Sequence, residues 1–287
     1  MHFSYLQAIV TGLIQGITEL FPVSSLGHAV LVPAWVGGSW KAFSTSSLYL
    51  LVAVALHLAS AIALFLVFRK RWLEILAGAL KGIKRRNFRK VELRVLWLIV
   101  VATIPVALAG YLFGDFFQRI FAKPIGSAIF LTFNGLILLG AERLTRRRNH
   151  AVMEENLAIA TRVSTGQALV IGVGQSAALF AGISRFGISM SFGMLRGLSR
   201  TVAADFAFLL AFPVILGAAV SKLPKLAHGD LSGLWGPVFA GCVVSFIATY
   251  FSVKFLVRWF KTNTLVPFAI YCMFFGLLSV LRFGLFN

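Results

Sequence analysis

Two short stretches of an otherwise apolar chain hold residue types suited to moving a phosphoryl group. The first runs from Gln15 through Glu19, Pro22, Ser24, Ser25 and Gly27 to His28; the second holds Gly182, Ser184, Arg185, Gly187 and Ser189. Glu19 is the one carboxylate well inside an apolar segment, where a charge costs about 2.5–3.5 kcal/mol even on insertion scales and so points to a functional role. Gln15 stands four residues earlier, on the same helix face. Ser24 and Ser25 follow a proline, where a side-chain oxygen caps the next helix. Arg185, in a glycine-rich break, offers a permanent charge and a two-pronged fork to an anion, beside backbone N–H groups at a helix start. Each residue also has a plainer role open to it: Ser24 as a helix cap, His28 as a satisfied buried histidine, Arg185 as a cation reaching for the surface. Taken together, however, a carboxylate, a hydroxyl, a histidine and an arginine make up the inventory for phosphoryl transfer. A carboxylate such as Glu19 can instead hold a divalent cation, Mg²⁺ or Ca²⁺, bridging a diphosphate.

The elements that position these groups are helices in a membrane. Of the 287 residues 59% are hydrophobic and only 13% charged, whereas soluble domains average roughly 25% charged. Apolar runs at 48–68, 95–113, 124–142, 202–220, 232–253 and 264–282 are each near the length of about 20 residues that crosses a bilayer core. The net charge of +18 does not point to nucleic acid, because the basic residues lie in short segments between apolar runs. Most fall in 69–94, 143–164, 196–200 and 254–261, which places those segments in the cytoplasm. Segments 4–36 and 166–197 are interrupted in their middles, at 22–28 and 182–187. The basic flanks of 166–197 must share one side, so it enters and leaves as a re-entrant hairpin, and 4–36 dips in from the opposite face. The fold expected is an all-α polytopic membrane protein forming a single domain over 1–287. It has six transmembrane helices plus two re-entrant helical hairpins in an inverted repeat, about 1–145 and 160–287. Irregular backbone at membrane depth must be buried or line a cavity, and the chemistry belongs where the two breaks meet. Cys242 and Cys272 both lie in apolar runs and suggest neither a disulfide framework nor a metal clip.

At these residues the sequence resembles the undecaprenyl-diphosphate phosphatase family of the bacitracin-resistance type. The resemblance rests on Glu19 with Pro22 to His28, on Gly182 to Arg185, and on the run from Arg200 to Pro213. It implies hydrolysis of undecaprenyl diphosphate to the monophosphate carrier lipid and inorganic phosphate. That reaction serves cell-wall synthesis and bacitracin resistance, with a divalent cation, in a site open to the periplasm of the bacterial inner membrane. It also implies that Glu19, Ser25, His28 and Arg185 are catalytic, that Glu19 holds the metal, and that Gln15, Ser24, Gly27, Gly182, Ser184 and Ser189 contact the substrate. Between Ser25 and His28 as nucleophile, the reading taken is attack by Ser25 with His28 as base. The sequence departs from the family where Gln15 replaces the first acid of an E-x-x-x-E pair and where Ala181, Phe186 and Ser189 replace Pro, Ser and Thr. His57, in the first full span, is placed to compensate for the missing acid or simply to pack. Expected partners are the polyprenyl diphosphate and membrane lipids, with a homodimer left open. The alternative is a polyprenyl-phosphate transporter, since inverted repeats also suit alternating access.

Overall fold

The computed structural model describes residues 3–121, 123–145, 155–222 and 233–285, which are all-helical with no strand among them. The first hairpin is α1 (Tyr5–Thr18) and α2 (Ser25–Val36). A short α3 (Gly38–Ser44) leads to α4 (Ser47–Lys84), α5 (Val91–Phe121) and α6 (Pro124–Thr145). Then come α7 (Glu155–Arg162), α8 (Thr165–Gln175) with a 3₁₀ turn over Ser176–Leu179, and α9 (Arg185–Leu195). The chain closes with α10 (Arg200–Val220), α11 (Trp235–Thr262) and α12 (Val266–Leu285). Six of these helices, α4, α5, α6, α10, α11 and α12, are long and apolar enough to cross a membrane, at the six places the hydropathy predicts.

The helices outrun the expected spans. With 38 residues, α4 is about 57 Å long at 1.5 Å per residue, nearly twice a hydrocarbon core of about 30 Å. The excess carries Arg69 to Lys84, whose charged heads need water. By contrast α2 has 12 residues and α8 has 11, about 16–18 Å each. Neither arm crosses alone, as a hairpin requires. The breaks sit slightly off their expected places. The first runs from Glu19 to Ser24, and Ser25 through His28 already form the first turn of α2; the second ends at Ser184, so Arg185 opens α9. The bend of 100° between α7 and α8 and the short α3 have no periodicity strong enough to announce them.

Small residues let the hairpins lie against the spans. A Cβ on Gly12 would run into the Gly241 carbonyl of α11, and one on Gly172 into the Ala102 carbonyl of α5. Such close approach is how helices associate where lipid removes the hydrophobic drive between them. Both first arms open with a capping box, Ser4 with Gln7 and Ser164 with Gln167, which satisfies two orphan N–H groups at each start. The pairs Ser4 and Ser164, Gln7 and Gln167, Gly12 and Gly172, Gln15 and Gln175, Ser24 and Ser184, and Gly27 and Gly187 are all equally spaced in the chain. Between them, Phe68, Phe186, Phe208 and Phe260 join α4, α9, α10 and α11 into one apolar core. On the outside, Phe274, Leu277 and Leu281 of α12 are exposed, as a helix facing hydrocarbon should be. At the C-terminal end of α6, Glu142 pairs with Arg200 and accepts the Leu265 N–H.

Candidate active site

The tips of the two hairpins touch. Ser24 caps α2 by accepting the Gly27 N–H and also accepts the Gly182 N–H of the other hairpin, at 3.2 and 3.1 Å. This double duty holds Ser24 at φ 68°, a left-handed conformation that costs a non-glycine residue on the order of 1–3 kcal/mol. Gly182 has φ 114° and is wedged against the Ser127 carbonyl and the Leu131 nitrogen of α6, so no side chain fits there. Gly27 packs on Gly182 at the same crossing. These two glycines, expected to contact substrate, bring the tips together. Ser184 caps α9 by accepting the Gly187 N–H and lies near the Phe21 carbonyl.

The clamp across the tips is Asn134 on α6. Its Oδ1 accepts the Ser184 N–H at 2.9 Å, and its Nδ2 donates to the Pro22 carbonyl at 2.8 Å and to Cys272 Sγ. Asn134 was not singled out from the sequence, although a lone amide in an apolar span is a signal for such a role.

Around this crossing lies a small, partly open cleft lined by Glu19, Ser24, Ser25, Ile183, Ser184 and Arg185 among others. Glu19 caps the end of α1 and is buried. Its Oε2 accepts hydrogen bonds from Gln15 Nε2 at 2.6 Å and from the Ser25 hydroxyl at 2.8 Å, and His57 Nε2 lies 3.5 Å away. Arg185 faces them from α9. Its Nε and Nη1 are buried with no hydrogen-bond partner among the described residues. Two buried guanidinium nitrogens left without a hydrogen bond are costly, and an anion in the cavity relieves that cost. The first turns of α2 and α9 both line the cavity, so two positive helix ends add to its pull on an anion.

His28 is placed differently from the expectation. Its Nδ1 donates to the Ser24 carbonyl at 2.8 Å, so Nε2 carries the lone pair and accepts from the Tyr271 hydroxyl at 2.7 Å. The ring stacks on Tyr271 and Phe275. Both nitrogens are therefore engaged away from Ser25, whose hydroxyl is bonded to Glu19. His28 instead lines a second, larger cleft, which shares Ser25 and Leu26 with the first. Gln15, Trp40, Tyr49 and His57 are also on its walls, which are otherwise mainly apolar. Ser189 lines neither cavity: it sits one turn beyond Arg185 with its hydroxyl buried and without a partner among the described residues.

Comparison with known proteins agrees with the sequence motifs. Residues 8–278 match the family model described as bacitracin resistance protein BacA. The chain is 42% identical to undecaprenyl-diphosphatase 2 of Frankia alni over 99% of this chain and 100% of that one. It is 45% identical to undecaprenyl-diphosphatase of Mycolicibacterium paratuberculosis over 96% of each. A third relative, undecaprenyl-diphosphatase 2 of Chromobacterium violaceum, is 37% identical over 96% of this chain and 98% of its own.

Proposed function

The chain belongs to the bacitracin resistance protein BacA family, and from that premise we propose how this multi-pass membrane protein works as a lipid diphosphate phosphatase. It hydrolyses undecaprenyl diphosphate to undecaprenyl phosphate and inorganic phosphate; the relatives' names favour this over transport of the lipid phosphate. The observation that carries the mechanism is the Ser25–Glu19 hydrogen bond at 2.8 Å, in a cavity closed on its other side by the unpaired nitrogens of Arg185.

In this reading the diphosphate enters the smaller cavity and its terminal phosphoryl group lies against Arg185. Ser25 Oγ attacks the terminal phosphorus while Glu19 takes the hydroxyl proton. The bond from phosphorus to the bridging oxygen breaks, and polyprenyl monophosphate leaves with the electron pair. Glu19 passes that proton to the departing monophosphate, then takes one from the water that attacks the phosphoserine and returns it to Ser25 Oγ as inorganic phosphate departs. Arg185 offsets charge on the equatorial oxygens throughout. Ser184 and the first-turn N–H groups of α2 and α9 orient the group. Glu19 displaces the expected base, since His28 is tied to Tyr271 and shapes the second cavity, where the isoprenoid chain is held.

A divalent cation fits the donor set around Glu19 Oε2: a carboxylate, the Ser25 hydroxyl and the Gln15 amide. When bound there it supplies Lewis-acid stabilisation of the diphosphate charge. The inverted repeat belongs to the same proposal, supported by the equally spaced pairs and by the matching contacts of α1 on α11 and α8 on α5. So do residence in the inner membrane and opening to the periplasm, supported by the distribution of basic residues.

Phosphate release by purified protein from C55 and C15 diphosphates, with and without EDTA, tests the reading. Release that falls away with EDTA and in Ser25→Ala is expected. Well-folded protein that releases no phosphate from any polyprenyl diphosphate would sink it.

A further inference from the structure

The Ser24 carbonyl belongs to the peptide unit that leads into Ser25, and a peptide unit is planar. Whatever fixes that carbonyl therefore fixes how Ser25 enters α2. Two groups of one residue hold it: the His28 backbone N–H at 3.2 Å and His28 Nδ1 at 2.8 Å. A carbonyl can only accept, so Nδ1 carries the proton and Nε2 is left as an acceptor. The Tyr271 hydroxyl donates to that Nε2 at 2.7 Å. A neutral imidazole thus joins a phenol on α12 to the peptide before Ser25, accepting at one end and donating at the other. His28, Tyr271 and Phe275 stack with centroids 5.5–5.9 Å apart, which holds the ring in that orientation. The next residue on α12, Cys272, gives its thiol to the Pro22 carbonyl. Neighbouring residues of α12 therefore hold the first break on both sides of Val23.

We infer that Tyr271 is a positioning residue for phosphoryl transfer, its hydroxyl acting through His28 on the Ser24 carbonyl to keep Ser25 in line. The inference rests on the proposed attack by Ser25 and names what aims it. Tyr271 lines neither cleft, so its hydroxyl reaches the reaction through another residue. The tip needs such support. Ser24 stands at φ 68°, and a strained residue stays there only when its surroundings over-determine it. Its side chain is held by the Gly27 and Gly182 N–H groups, and the relay from Tyr271 holds its carbonyl. A lipid chain is the rival partner for this tyrosine, whose residue is 42% exposed. Hydrocarbon has no use for the hydroxyl, whereas the relay depends on it.

Tyr271→Phe removes the hydroxyl and keeps the stack. His28→Asn keeps a donor near the place of Nδ1 and gives the hydroxyl no ring nitrogen. Phosphate release from C55 and C15 diphosphates yields kcat and KM for wild type, the two single variants and the double variant, each checked by monodisperse elution in detergent. With Ser25 out of line, kcat should fall at least about fivefold in Tyr271→Phe, while KM stays within about twofold. The loss should be the same for both chain lengths. In the His28→Asn background the tyrosine change should add nothing, because the path is already cut. A full, independent loss there overturns the inference, as does a rise in KM that grows with chain length, the mark of a lipid contact. So does an unchanged or raised kcat in Tyr271→Phe, the result expected of a histidine released to act as base. Nitrogen NMR of protein carrying isotope-labelled histidine reads the relay without turnover, the His28 signals being those missing in His28→Asn. Wild type should show Nδ1 protonated, and the Nε2 signal should move in Tyr271→Phe. That pattern in a protein releasing no phosphate keeps the relay and sinks the phosphatase reading. Phosphate release with the Nε2 signal unmoved does the reverse.

Discussion

Single side chains at the hairpin tips carry tasks that their types alone leave ambiguous. In the proposed mechanism Arg185 acts as a fork as much as a charge, because its Nε and Nη1 are both buried with no partner among the described residues. Arg185→Lys keeps the charge and loses bidentate contact. Phosphate release should fall at least about tenfold, roughly 1.4 kcal/mol in the barrier; a rate near that of wild type would make the arginine peripheral. Gln15 has the same sharp test. Gln15→Glu adds a charged oxygen beside Glu19, so the cation requirement for phosphate release should shift to lower Mg²⁺ concentration, and Glu19→Gln should abolish most release at any concentration. A titration of activity against Mg²⁺ for the three proteins decides it. Asn134 is a positioning residue. Asn134→Ala leaves the buried Ser184 N–H without its partner, worth about 1–3 kcal/mol, and leaves the Pro22 carbonyl only the weak Cys272 thiol donor. The midpoint of thermal unfolding should drop, and kcat should fall more than KM rises, since the tips lose alignment more than affinity.

At the scale of elements, the half-length helices work because their backbones approach the spans closely. α1 lies on α11 through Gly12, and α8 lies on α5 through Gly172. Gly12→Val forces the pair apart at a carbonyl that cannot move without distorting α11. Strain of this kind costs typically about 1–3 kcal/mol, so a lower thermal midpoint and partial aggregation on elution in detergent are expected. Phosphate release should fall with it, because Gln15 and Glu19 lie one and two turns further along the same arm. A Gly12→Val protein with unchanged stability would show that this crossing is slack.

For the whole molecule, the positive segments support the proposed orientation, and that orientation would set which way each hairpin dips. Single cysteines at 88, in the link between α4 and α5, and at 200, at the start of α10, should label from the cytoplasm in a background lacking Cys242 and Cys272. One at 39, in α3, should label from the periplasm. Positions 88 and 200 labelling from opposite faces would turn the second hairpin into a full span and end the inverted-repeat reading.

The sequence by itself determined the class, the six spans, the two interrupted segments and the residue types of the site. These follow from local properties: run length, the cost of a charge in hydrocarbon, and glycine and proline at the breaks. It also marked Glu19, Ser25 and Arg185, since a carboxylate and a guanidinium at depth have no local excuse. Only the tertiary structure decided who touches whom. His28 is three residues from Ser25 and was the expected base, yet a helical turn carries its ring towards Tyr271, 243 residues away along the chain. Glu19, six residues from Ser25, accepts the Ser25 hydroxyl because the break folds α1 and α2 back on each other. Gly27 and Gly182 proved to be the crossing point of the tips, and Asn134 their clamp, because α6 runs past both. Such contacts depend on how helices distant in sequence cross, and no local periodicity encodes a crossing.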